Sequence, residues 1–151
     1  MTTLKVGDKA PDFKVLDEQG NTVSLADYKG KKLVVFFYPK ASTPTCTVEA
    51  CNLRDNYELL SDEGYEILGV SADSQKRQSN FKKRYDFQYP LIADVDKTML
   101  NAFEVWGPKK FMGRTFDGIH RLTFVINEKG IITNIIDKVK AKEHANQILE
   151  N

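Results

Sequence analysis

Apolar and polar positions alternate in two rhythms along this chain. Leu33-Val34-Val35-Phe36-Phe37-Tyr38 is continuously apolar and rich in β-branched and aromatic side chains, as suits a central strand buried on both faces. Pro39 ends it, because proline brings no N–H to a central ladder. Ahead of it, residues 13–16 and 22–25 flank Asp17-Glu18-Gln19-Gly20-Asn21, the composition of a hairpin turn. From residue 46 to about residue 62 the rhythm becomes helical. Val48, Leu53, Tyr57 and Leu60 can share one stripe, and Gly64 fits the stop.

Tyr65-Glu66-Ile67-Leu68-Gly69-Val70-Ser71 predicts the next strand, and 75–84 a charged helix whose inner contacts centre on Phe81. Leu91-Ile92-Ala93 predicts a short strand, and 97–103 a short helix. The runs 120–126 and 131–136 flank Asn127-Glu128-Lys129-Gly130 as a second hairpin, and 141–150 closes the chain as a helix. Residues 104–117, with Trp106, Gly107, Pro108, Phe111 and Gly113, form the longest stretch without a predicted element. The order predicts an α/β fold: one thioredoxin-like domain over 1–151, with a central mixed β-sheet flanked by helices and an N-terminal β-hairpin extension.

Composition narrows the function. At 151 residues with a formal net charge of +1, the chain carries no electrostatic footprint for nucleic acid. Its longest strongly apolar run is too short to span a bilayer. Met1-Thr2-Thr3-Leu4-Lys5-Val6-Gly7-Asp8 has no apolar core of a secretory signal, so the expected compartment is a reducing, cytoplasmic one. There a cysteine pair is more often catalytic or metal-binding than a structural staple.

The two cysteines, Cys46 and Cys51, lie five residues apart where the apolar strand hands over to a helix. Two thiols supply half of a usual structural zinc site, and His120 and His144 are distant in sequence, so no metal or other cofactor is expected. Only a thiolate is a strong nucleophile. The first turn of a helix favours anions through its unpaired amides, and this position at a strand's carboxyl end is where α/β sheets bind ligands. Pro44 helps fix the backbone there, and Thr43 offers a hydroxyl near the sulfur. On an ideal helix, residues five apart are roughly 8 to 9 Å from one another, whereas a disulfide tolerates about 7 Å between Cα atoms. The pair therefore bonds only if the first turns unwind. Either thiol could instead be a small buried hydrophobe. A C-x-x-C exchange motif is excluded by the spacing.

Pro39, Thr43 and Cys46 match P-x-x-x-T-x-x-C, and on these residues the chain resembles the peroxiredoxins. The wider run from Phe37 to Cys51 resembles the bacterioferritin comigratory protein branch, also called PrxQ. The likeness continues through Ala10-Pro11-Asp12-Phe13, Leu68-Gly69-Val70-Ser71-Ala72-Asp73, Val105-Trp106-Gly107 with Lys109 and Phe111-Met112-Gly113, and Gly118-Ile119-His120-Arg121-Leu122-Thr123-Phe124-Val125-Ile126. It implies that Cys46 is a peroxidatic cysteine attacking hydrogen peroxide or an organic hydroperoxide and becoming a sulfenic acid. Cys51 would resolve it as an intramolecular disulfide, and thioredoxin or a similar dithiol would recycle both. Arg121 would sit beside the sulfur, Thr43 would hydrogen-bond sulfur or peroxide, and Pro39 would shield the pocket. The branch implies a monomer. Thr45 stands where the branch has Gly. A backbone needing positive φ there would strain a β-branched residue.

Without that resemblance Arg121 reads as a solvent-facing strand residue; Glu49 is a weaker candidate for supporting the site, a helix-surface glutamate being the common case, while Trp106 reads as packing rather than a substrate platform and His120 as structural. Two other functions use the same cysteines. One is a peroxide-sensing interaction protein whose unwinding exposes a docking surface; the other is a general dithiol reductase.

Overall fold

The computed structural model describes residues 2–150. Strands β1 (Lys14–Leu16) and β2 (Thr22–Ser24) pair antiparallel. Their turn is tied by Asp17, whose Oδ1 accepts the amides of Gln19 and Asn21 at 2.9 Å each. A 3₁₀ turn, Leu25–Tyr28, leads into β3 (Lys32–Phe37). Then follow α1 (Pro44–Asp55), α2 (Tyr57–Asp62), β4 (Tyr65–Ser71), α3 (Gln75–Tyr85), β5 (Leu91–Ala93) and α4 (Thr98–Ala102). The second half adds β6 (Trp106–Phe111), β7 (Arg114–Ile119), β8 (Thr123–Ile126), β9 (Ile132–Ile136), a 3₁₀ turn Ala141–Glu143, and α5 (His144–Leu149).

Five strands form the central sheet in the order β5-β4-β3-β8-β9. β3, β4 and β5 run parallel, while β8 is antiparallel to β3 and β9 to β8. The mixed α/β sheet of a thioredoxin-like fold is thus present. β3 takes the centre because both its faces are apolar. Val35 and Phe37 pack with the N-terminal hairpin and α4, whereas Val34 and Phe36 pack with α1, α3 and α5. Gly69 pairs with Phe36, and a β-carbon there would lie 2.8 Å from Leu91 and 2.9 Å from the Phe36 ring. Only glycine fits this close approach.

Three elements differ from expectation. The helix expected over 46–62 is two helices, because the Asn56 side chain bonds the Asn52 carbonyl at 2.8 Å and competes with the backbone ladder. The unassigned stretch 104–117 is mostly the β6–β7 hairpin, a two-stranded ribbon outside the central sheet, whose Met112-Gly113 turn has φ of 50° and 78°. The strand expected over 120–126 begins at Thr123, which leaves Arg121 on the connection from β7. Among the described residues no helix is long and apolar enough to cross a membrane.

Candidate active site

β3 ends against a loop, residues 38–43, that delivers the chain to α1. Asp73, just past β4, pins this loop: its Oδ2 accepts the Ala41 amide at 2.7 Å and the Ser71 hydroxyl at 2.6 Å. Tyr38 donates its hydroxyl to Gln78 Oε1 at 2.6 Å, fixing the end of the strand to α3. The chain turns sharply at Ser42, with φ of 66°, and Pro44 starts the helix at a position where its missing N–H costs no ladder bond. Thr45 lies within α1 and is not among the residues with positive φ. The β-branched residue at this position is therefore unstrained; the left-handed turn falls three residues earlier.

Cys46 is the third residue of α1 and is 1 % exposed. Arg121 approaches it from the β7–β8 connection. One arm of the guanidinium, Nη2, donates to Cys46 Sγ at 3.2 Å, and the other, Nη1, donates to Glu49 Oε1 at 2.6 Å. The planar fork thus spans two groups one turn apart on α1. Burial works to lower the Arg121 pKa, but Cys46 and Glu49 outweigh it and raise it. The sulfur thus sits in the first turn of a helix with a fixed cation 3.2 Å away.

Glu49 is fully buried, and burial pushes its pKa up to about 7 against the opposing pull of Arg121. Its other oxygen, Oε2, has no hydrogen-bond partner among the described residues and faces His144 Nε2 at 3.4 Å. His144, on α5, is also fully buried; burial pushes its pKa down, opposed by its hydrogen bond to Gln147. Spacing gave no sign of this residue. It lies 95 positions after Glu49, and only the packing of α5 on α1 brings the two together.

The other expected residues are placed as follows. The Thr43 hydroxyl donates to the Lys40 carbonyl at 2.8 Å, not to the sulfur. Pro39 lines a groove with Trp106, Lys109 and Phe116. Lys109 crosses β7 beside Gly118, where a β-carbon would lie 3.0 Å from its stem, and its ammonium donates to the Ile119 carbonyl at 2.8 Å. Cys51 is half-buried on the same intact helix as Cys46, and both thiols are free. Burial raises the Cys51 pKa, partly offset by Arg54. Trp106 packs against the core and carries the Lys97 ammonium 4.8 Å above its ring. No group of three His, Cys, Asp or Glu side chains among the described residues is placed to hold a metal ion.

Known proteins are similar to this chain over nearly its whole length. The AhpC/TSA family pattern matches residues 6–135. A putative peroxiredoxin bcp of Haemophilus influenzae is 46% identical over 150 residues, covering 99% of this chain and 97% of that protein. Peroxiredoxin Bcp of Escherichia coli is 43% identical over 149 residues, covering 99% and 96%. Among solved structures, peroxiredoxin Q of Xanthomonas campestris superposes with a TM-score of 0.87 at 34% identity, covering 99% of this chain and 94% of that one. With its mixed sheet, its cysteine on the first turn of α1 and its full-length likeness to these proteins, the chain belongs to the AhpC/TSA family and, within it, to the bacterioferritin comigratory protein (PrxQ) branch of the peroxiredoxins.

Proposed function

We propose that this protein is a thiol peroxidase in which Cys46 is the nucleophile, Cys51 the resolving thiol, and Arg121, Thr43 and Pro39 the residues that shape the pocket. The observation that carries the reading is the Arg121 guanidinium 3.2 Å from a buried sulfur at the start of α1. A relative points the same way: the Xanthomonas campestris bacterioferritin comigratory protein is described with alkyl peroxide reduction activity.

The chemistry runs in three steps. The Cys46 thiolate attacks the terminal oxygen of a hydroperoxide. The S–O bond forms, the O–O bond breaks, and the alkoxide or hydroxide leaves with the electron pair and takes a proton. Arg121 sits where the negative charge moves, so it stabilises the thiolate and then the departing oxygen. The Thr43 hydroxyl hydrogen is committed to Lys40, which leaves its oxygen free to accept a hydrogen bond from the peroxide O–H. Pro39 keeps water from the groove. In the second step the Cys51 sulfur attacks the sulfenic acid, water leaves, and the disulfide forms once the start of α1 has unwound. In the third, a thioredoxin-type dithiol is oxidised while both thiols are restored. Nucleophile and resolving thiol lie on the same helix, so a monomer suffices, and recycling by a dithiol suits a cytoplasmic setting.

One equivalent of hydrogen peroxide followed by mass spectrometry tests the assignment. The Cys46–Cys51 disulfide is expected in the native chain, and a sulfenic acid on Cys46 in Cys51→Ser. Cys46→Ser is expected to consume no peroxide. Full turnover by Cys46→Ser would overturn the reading.

A further inference from the structure

The Glu49–His144 contact has no task in the chemistry above, yet both groups are fully buried. The hydrogen bonds around them fix where protons sit. Gln147 is oriented by two backbone partners: its Nε2 donates to the Lys138 carbonyl at 2.9 Å, and its Oε1 accepts the Lys140 amide at 2.9 Å. That same oxygen lies 2.9 Å from His144 Nδ1. An amide oxygen only accepts, so Nδ1 carries a hydrogen. In the neutral ring Nε2 is then bare. It faces the partnerless Glu49 Oε2 at 3.4 Å. A lone pair opposed to a carboxylate oxygen in a dry pocket is repulsive, and one proton between them removes the repulsion. The Thr123 hydroxyl, 2.8 Å from Nε2, can rotate to donate to the bare nitrogen or accept from a protonated one.

We propose that Glu49 Oε2 and His144 Nε2 hold one proton between them, and that His144 is through this proton a positioning residue for the reaction at Cys46. The inference rests on Cys46 being the nucleophile. With the proton on the carboxyl, Glu49 is neutral and the Arg121 charge is left to the sulfur and the departing oxygen. Without it, Glu49 is an anion 2.6 Å from the same guanidinium, which is then divided between two negative groups. The opposite pKa directions of the two groups, Glu49 up and His144 down, each by burial first, agree with a proton that resides mainly on the carboxyl.

The titratable and charged neighbours are few. Cys46 precedes Glu49 by one turn of α1, Arg121 comes from the β7–β8 connection and His144 from α5. Tyr89, ahead of β5, lies within electrostatic reach of Glu49, and Lys109 of β6 acts on Arg121 and Cys46 from the groove side. Burial places the Glu49 carboxyl near neutrality, at about 7. Above that pH the pair loses its proton, and the rate of Cys46 oxidation falls.

Two measurements test this. Nitrogen NMR of the reduced protein reads the rings directly, because the chain has two histidines, His120 and His144. Below pH 7, His144 is expected to carry hydrogen on Nδ1, and the Glu49 carboxyl carbon to titrate near 7. An Nε2–H ring lacking the Nδ1 hydrogen, or a carboxyl titrating near its ordinary 4.5, overturns the proposal. This arm needs no turnover, so its failure is separate from failure of the peroxidase reading. Stopped-flow oxidation of Cys46 by peroxide gives the second. The native rate is expected to fall roughly tenfold between about pH 6 and 8.5, the effect of one pKa unit of differential interaction. In Glu49→Gln, whose amide stays neutral while still accepting from Arg121 and donating to His144, the fall is expected to vanish. In His144→Gln, whose amide can donate to an ionised Glu49, it is expected to move toward acid. A fall that persists unchanged in Glu49→Gln overturns the proposal, whatever the fate of the His144 variant.

Discussion

At the scale of single residues, Arg121 does what no other side chain here can. Its two donors reach Cys46 and Glu49 at once, and a lysine has one ammonium for both. Arg121→Met removes the cation and the donor facing the departing oxygen. The second-order rate of Cys46 oxidation, followed by stopped-flow, is expected to drop about 100-fold or more, the usual effect of deleting one preorganised donor. Arg121→Lys is expected to fall between Met and the native residue, since charge returns without the fork. Equal rates in the three proteins would remove Arg121 from the reaction. Thr45 illustrates the opposite case. Its β-branch departs from the glycine expected of the branch, yet it sits on helical backbone, and the left-handed position is taken by Ser42.

At the scale of elements, α1 must be both rigid and breakable. Reduced, it presents Cys46 to Arg121; to form the disulfide, its start has to come apart. What holds it is partly the C-terminal segment. Asn52 donates to the Lys142 carbonyl at 2.8 Å, and its Oδ1 accepts the Ala145 amide at 2.8 Å. Hydrogen exchange is expected to show protection at residues 46–52 lost on oxidation, with β3 and β4 unchanged. Asn52→Ala, which deletes two bonds of about 1 kcal/mol each, is expected to speed the step from sulfenic acid to disulfide. Equal protection in both redox states would contradict the unwinding. The geometric conflict behind this prediction was readable from the five-residue spacing alone. So was the central sheet, because β3 and β4 are long apolar runs with clean ends. The β6–β7 ribbon was not. It pairs only with itself, and residues 109–117 along it range from half-buried to exposed, so it shows no apolar alternation. Gly107, Pro108 and Gly113 read as loop punctuation, although Pro108 is tolerated because a two-stranded ribbon is all edge.

At the scale of the whole molecule, the candidate site draws on segments that sequence separates widely: α1, the β7–β8 connection, and α5 near the end of the chain. A local motif marked Cys46 and Thr43, and resemblance supplied Arg121. Glu49 looked like a surface acid and His144 was only a histidine distant in sequence from the cysteines, because burial is set by how α5 packs and has no local signature. That burial has a consequence for the stability of the molecule. Unfolded, Glu49 releases its proton near the ordinary 4.5; folded, it keeps it to about 7. Between those values the native state binds more protons, so the slope of stability against pH is negative there. The contribution is full below about 4.5, declines as pH rises, and is gone above 7. Its size is about 3 kcal/mol, from roughly 2.5 pKa units at 1.36 kcal/mol each. His144 runs the other way: its folded pKa is lowered, so its contribution is present above 6.5 and is lost as pH falls through the folded value. Glu49→Gln abolishes the first term and retains the histidine. Subtracting the urea-unfolding free energies of the two proteins at each pH therefore reads Glu49 together with the coupling of its proton to His144. The native protein is expected to lose ground against Glu49→Gln steadily from pH 4.5 to 7, and then to run parallel with it. A difference independent of pH across that window would mean that the buried carboxyl titrates near its ordinary 4.5 in the folded protein as well.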